Sequence, residues 1–220
     1  PKETDSSLFP DYYLQNFHHQ TDGYLSDHSA GLYDLQVEIL FNGTADAMRR
    51  RVLSPLKRGL KHFSDRSPLT LRVLDIATGT GRTLHQIRAA LPHAELIGAD
   101  LSEAYLRQAN RWLNNDQAPL VQLIRANGET LPFADAGLQG ATCVFLLHEL
   151  PAEARQNVIN EAWRVLERRR ARHRCRRHQR SQRIVSLHIP CTRNRSIPGP
   201  TLETKRGGEL ASAERGEARE

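Results

Sequence analysis

Val73-Leu74-Asp75-Ile76-Ala77-Thr78-Gly79-Thr80-Gly81-Arg82 is the stretch that decides the fold. Leu71–Ile76 reads as a buried strand with Asp75 at its end, and the residues after it are small enough for the backbone to turn tightly. The next helix begins in the same turn. Its first N–H groups have no partner within the helix, so they can face whatever occupies the site. A Gly-x-Gly pair alone is a weak signal, and two further features strengthen it. Asp100 closes the next apolar run, 25 residues after Asp75, where one carboxylate can accept both hydroxyls of a ribose. Asn127-Gly128-Glu129-Thr130-Leu131-Pro132-Phe133 follows a third run, where a polar side chain can meet the edge of an adenine.

Outward from the turn, strands and helices alternate. Thr83–Leu91 predicts a helix with Leu84, Ile87 and Leu91 inward, and Glu95–Ala99 a second strand ending at Asp100. Ser102 is a good N-cap for a helix reaching Asn114 with Leu106, Ala109 and Leu113 inward. Leu120–Arg125 and Ala141–Leu147 predict the third and fourth strands. Pro151 opens a last helix with Val158, Ile159, Ala162, Val165 and Leu166 as its apolar stripe. This rhythm means a parallel sheet covered on both faces. Upstream, Leu32, Leu35, Ile39 and Leu40 mark one helical face, and Met48, Val52, Leu56, Leu60 and Phe63 another, which Pro55 kinks or splits. Tyr12, Tyr13, Phe17, His18, His19 and Tyr24 cluster near the start, either as a lid over a substrate or as a packed segment.

With these residues in place, the chain resembles the class I methyltransferases, in particular bacterial small-molecule enzymes that methylate ubiquinone and menaquinone precursors. The resemblance covers roughly residues 71–167. It implies an α/β, Rossmann-like, doubly wound and mostly parallel sheet with an N-terminal helical segment, and S-adenosyl-L-methionine as cofactor. The family's acid-x-Gly-x-Gly-x-Gly turn falls on Asp75, Ala77, Gly79 and Gly81, with Ala77 in the first glycine slot. The ribose acid falls on Asp100 beside Leu101, and the adenine-side residue on Asn127 beside Gly128. Thr78 belongs to the same turn, and Thr80 falls on a backbone-and-hydroxyl contact to the cofactor. Phe145-Leu146-Leu147-His148-Glu149-Leu150-Pro151 matches the segment that borders the methyl group, with Phe145 toward the cofactor and His148 as candidate base.

Alternatives stand beside these assignments. Asp75 either touches the ligand or only holds the turn, and His148 is a base, an acceptor-orienting group, or a packed or solvated residue. A nicotinamide dinucleotide is the rival ligand, but its Gly-x-Gly-x-x-Gly needs glycine where this chain has Leu84.

Charge divides the chain. Residues 167–220 carry 15 Lys and Arg against 6 acidic residues, whereas residues 1–166 carry 16 against 19. The basic balance therefore says nothing about what the folded portion binds. No apolar run approaches the roughly 18 residues that span a bilayer, and the N-terminus has no signal pattern. Cys143, Cys175 and Cys191 have no paired close spacing, which argues against a metal site and fits a reducing cytoplasm.

Arg168 to Arg183 holds nine arginines and two histidines. The family pattern calls instead for a Gly-Gly turn and a fifth strand. One choice of arginine codons for residues 168–180, read one nucleotide later, encodes Gly-Gly-Ala-Leu-Gly-Ile-Val-Ala-Asp-Ala-Ile-Ser, so a shifted reading frame is the preferred account of the tail. A native basic tail would bind phosphate backbones non-specifically. It lacks interleaved aromatics, so no specific nucleic acid is expected. In the tail only Ile184–Ile189 reads as a short strand. The expected organisation is a helical cap over residues 1–66, a cofactor-binding domain over 67–167, and a basic, disordered or non-native tail over 168–220. The sheet is expected to stop at its fourth strand, leaving that strand at an exposed edge. The expected function is methyl transfer to a small-molecule acceptor. The alternatives are a truncated, inactive cofactor-binding domain and a non-specific nucleic-acid binder acting through the tail.

Overall fold

A computed structural model describes residues 9–14, 23–114, 120–167 and 185–188. All lie in one compact unit spanning residues 1–190. A short 3-10 helix, Asp11–Leu14, precedes α1 (Asp27–Leu40), α2 (Ala45–Arg50) and α3 (Leu53–Leu60). Then come β1 (Arg72–Ile76), α4 (Arg82–Ala90), β2 (Glu95–Asp100), α5 (Glu103–Leu113), β3 (Gln122–Arg125), β4 (Gly140–Val144), α6 (Ala152–Val165) and β5 (Val185–His188). Each strand–helix alternation expected of residues 71–166 is present.

The five strands pair in parallel in the order β3-β2-β1-β4-β5. In β1, the side chains of Val73 and Leu74 go to opposite faces, as strand periodicity requires. Val73 meets Leu56, Leu60, Phe63, Leu84 and Ile87 from α3, the residues after it, and α4. Leu74 and Ile76 meet Val158, Ala162 and Val165 of α6 on the other face. With both faces covered, β1, β2 and β4 are buried almost end to end, as central parallel strands are. The order reverses between β1 and β4, and open α/β sheets bind ligands beyond the carboxyl ends of the strands at such a point.

Three expectations change. Helix α1 forms, but Leu32, Leu35, Ile39 and Leu40 remain exposed, and the helix buries Ser29, Ala30 and Val37 instead. That side of α1 joins an aromatic cluster, in which Ala30 and the helix's own Tyr33 pack with Tyr24 and Tyr105. Within the expected cap, Leu53, Leu56, Leu60 and Phe63 pack in the core against Val73 of β1, and the helical pattern does split just ahead of Pro55. Finally, β4 does not end the sheet. Ala141 to Val144 pair in register with Val185 to His188, within the one segment of the tail that reads as a strand. The expectations for residues 168–184 and 189–220 lie outside the described residues, as do Phe17, His18, His19, Cys175 and Cys191. Among the described residues, no helix is long and apolar enough to cross a membrane.

Candidate functional site

An open cleft of about 840 Å³, part of it continuous with solvent, lies at the carboxyl ends of β1 to β4. Ala77 and Gly79 follow β1, Asp100 and Leu101 close β2, Asn127 and Gly128 follow β3, and Phe145 follows β4; all seven line the cleft. The structure thus brings together seven of the twelve residues singled out in the sequence. Asp75, Thr78, Thr80, Gly81 and His148 lie outside the lining.

Asp75 is buried beneath the turn at 1 % exposure. It accepts hydrogen bonds from the hydroxyls of Thr142 (2.6 Å) and Thr78 (3.1 Å), tying β1 to β4 and to the turn. Burial raises its carboxyl to about 7, and the two threonine hydroxyls hold it back from rising further. Of the two roles open to Asp75, the geometry is that of a residue holding the turn. The Thr80 hydroxyl donates to Asp34 of α1 at 2.7 Å, and Arg82 Nε donates to the other oxygen of Asp34 at 2.9 Å. The two side chains anchor α1 to the turn. Gly81 caps α4 with φ +83°, and an added Cβ there would lie 2.7 Å from Leu113.

Three amides of the turn are occupied. Thr78 N donates to Ala99 O, Gly81 N to Thr78 O, and Gly79 N to Asp100 Oδ2 at 2.8 Å. A pyrophosphate held at such a turn needs free N–H donors. Asp100 Oδ1 also accepts from Ser102 N, so backbone donors hold both oxygens in place at the cleft wall. Burial raises the Asp100 carboxyl, while the amides of Ser102, Gly79 and Leu101 oppose that rise. At Gly79, with φ +56°, an added Cβ would meet only Tyr105 Cδ1, at 4.0 Å. A ligand therefore reaches the backbone there without obstruction. Asn127 Oδ1 accepts from Glu129 N, which folds the loop after β3 back on itself.

Residues 73–169 match the family described as "Methyltransferase domain". Over these residues the chain is similar to the methyltransferases. The chain is 30% identical over 145 residues to a demethylmenaquinone methyltransferase of Thermotoga maritima, covering 66% of this chain and 56% of that one. It is 32% identical over 141 residues to a ubiquinone/menaquinone biosynthesis C-methyltransferase of Desulfotalea psychrophila, covering 64% and 52%. The chain thus spans about half the length of these relatives. Among solved structures, it is similar to a SAM-dependent methyltransferase from Aquifex aeolicus at 22% identity and a TM-score of 0.42, covering 54% and 61% of the two chains.

S-adenosylmethionine is the cofactor of this class, and the cleft has residues that fit it. The Asp100 carboxylate matches a ribose diol, and the open approach at Gly79 matches a ligand lying along the backbone. A sulfonium cation is attracted to aromatic faces. Tyr24, Tyr33, Tyr105 and Phe145 all line the cleft, and the three tyrosine rings meet edge-on with centroids 5.3–6.1 Å apart. Burial pushes the phenols of Tyr24 and Tyr105 well above their usual range and that of Tyr33 to about 12, so all three stay neutral.

Several lining residues escaped the sequence reading. Tyr33 and Tyr105 sit on helices, where a lone tyrosine carries no signal. Glu149 lines the cleft with its side chain 12 % exposed, whereas its neighbour His148 is the more exposed, at 27 %. The signal for Glu149 was its place in the quoted segment after β4. Tyr12 and Tyr13 of the early aromatic cluster also line the cleft, and Tyr12 OH donates to Glu129.

Proposed function

We propose that this chain binds S-adenosylmethionine in the cleft and methylates a small molecule of the quinone-precursor type. In this reading Asp100 holds the ribose hydroxyls, Asn127 and Leu101 border the adenine, and Gly79 lets the methionine portion lie against the turn. Bound there, the cofactor supplies an activated methyl group on a cationic sulfur. The protein's share is to position the two reactants and to exclude water. Tyr24, Tyr33 and Phe145 bracket the reacting end, and Leu146, Leu150 and Val158 offer an apolar wall to the body of the acceptor.

One observation carries the reading. A half-buried carboxylate fixed by two backbone amides faces the cleft beside a glycine turn in which the amides of Thr78, Gly79 and Gly81 are occupied. That combination suits an adenosine without phosphates and suits a pyrophosphate poorly. Calorimetry with S-adenosylmethionine, its demethylated product and a nicotinamide dinucleotide tests it. Saturable binding of the first two is expected. Asp100→Ala should weaken binding by roughly 1.5–3 kcal/mol, the range for hydrogen bonds to a charged group. Binding of the dinucleotide with none of S-adenosylmethionine overturns the reading.

A further inference from the structure

We propose that Glu149 is the residue that takes the acceptor's proton, with Tyr24 and His148 positioned on its carboxylate. The inference rests on the functional reading above and adds a catalytic residue to it. Among the described residues, the carboxylates lining the cleft are Asp100 and Glu149. Asp100 is held by backbone amides at the turn end. Glu149 lies at the other end, beyond Phe145, where the acceptor must sit to face the methyl group.

The contacts of Glu149 form a path. Tyr24 OH donates toward Glu149 Oε1 at 3.5 Å from inside the cleft. His148 Nε2 lies 3.1 Å from the same oxygen, on a side chain more open to solvent. Glu149 thus spans the interior and the surface. His148 is absent from the lining and touches the Glu149 carboxylate from the more exposed side, so its place is behind that carboxylate.

The step balances as follows. The acceptor's nucleophilic atom forms a bond to the methyl carbon, and the carbon–sulfur bond breaks with its electron pair passing to sulfur, which becomes a neutral thioether. The proton lost from the acceptor's hydroxyl or acidic C–H goes to a Glu149 oxygen. His148 Nε2 then accepts that proton and releases it to solvent. The backbone supports the arrangement: Phe145 is held at φ +61°, a conformation a bulky side chain rarely adopts, and this turn directs the chain after β4 around the cleft end.

Glu149→Gln keeps the shape and removes the base. With S-adenosylhomocysteine bound, 1-naphthol serves as a neutral hydroxylated probe of the acceptor site. Glu149→Gln should bind S-adenosylhomocysteine as the unaltered chain does and hold 1-naphthol about tenfold more weakly, having lost a charge-assisted hydrogen bond. Methyl transfer to reduced demethylmenaquinone should fall roughly a hundredfold to ten-thousandfold in kcat, the range for general-base assistance. His148→Ala should give a smaller fall, restored by added imidazole. Unchanged naphthol affinity, or no difference in transfer between the unaltered chain and Glu149→Gln, overturns the inference. Failure of the unaltered chain to bind S-adenosylhomocysteine is a separate result, which removes the functional reading and this inference with it.

Discussion

Asp75 has no water to solvate its charge, and the two threonine hydroxyls do not fully replace it. Its folded value of about 7 lies above the ordinary 3.8, so the folded state holds a proton that the unfolded chain has already released between those two values. Its contribution to stability is therefore full below about pH 4 and is lost as pH rises toward 7. Asp75→Asn removes that dependence, since an amide can accept from one threonine and donate to the other. Melting temperature measured from pH 4 to pH 8 should fall more steeply for the unaltered chain than for the variant, with the gap widest at the alkaline end. Parallel curves would mean that Asp75 is ionised throughout. Ala77 presents the opposite case, in which backbone geometry is the strained element. It sits at φ +56° in the first glycine slot of the turn, where a Cβ costs roughly 1–2 kcal/mol. Ala77→Gly removes that cost and gives back part of it, about 0.4–1 kcal/mol, through a freer unfolded chain. Urea denaturation should show a net gain of up to about 1.5 kcal/mol.

Helix α6 shows how one element positions another. Arg164 donates to the carbonyls of Leu131 (2.9 Å) and Phe133 (2.7 Å), to Asp135 (2.8 Å) and to Glu161, whose carboxylate in turn accepts from Leu131 N at 2.8 Å. These bonds clamp the loop that begins at Asn127 against the helix. Arg164→Ala leaves the carbonyls and Glu161 without this partner and should cost about 1–3 kcal/mol in denaturant unfolding. If the clamp also fixes the adenine side of the cleft, S-adenosylhomocysteine affinity should fall with it, while the variant keeps its native circular dichroism. The Leu-Pro-Phe segment was legible in the sequence, but its latch was not, because Arg164 is 31 residues beyond Phe133 and looks like any solvated helix charge. The same limit applies to α1. Periodicity identified the helix from Leu32, Leu35, Ile39 and Leu40, yet the buried side is the one carrying Ser29, Ala30 and Val37. An apolar stripe reports which side chains would prefer to leave water, whereas the side taken inward is the one on which Ala30 and Tyr33 meet Tyr24 and Tyr105. In the glycine turn the backbone shape was legible, because small residues announce it directly, but the side-chain partners were not: Ala77 and Gly79 line the cleft, whereas Asp75, Thr78, Thr80 and Gly81 do not, and the Thr80 hydroxyl bonds Asp34. The contact of Tyr24 with Glu149 was equally hidden, since it is made across 125 residues of chain.

At the scale of the molecule, the deciding question is the edge of the sheet. An open parallel edge presents a row of unpaired backbone donors and acceptors, and an extended segment of the same chain is always at hand to cover it. Val185–His188 does so for β4, in register from Ala141↔Val185 to Val144↔His188. This pairing needs backbone hydrogen bonds alone, so it is compatible with a tail whose sequence departs from the family pattern at Arg168. It also predicts what β5 contributes. β4 leads into Phe145 and Leu146, which line the cleft and in the proposed reading border the acceptor, so the cover on β4 should steady that end more than the Asp100 end. Ending the chain after Glu167 should therefore lower the melting temperature and raise concentration-dependent aggregation seen by light scattering. Affinity for S-adenosylhomocysteine should change less than affinity for 1-naphthol. A truncated chain that stays monomeric, melts with the unaltered one and holds both ligands equally well would show that β5 does not protect the edge, and that β1 to β4 with their helices complete the binding cleft unaided.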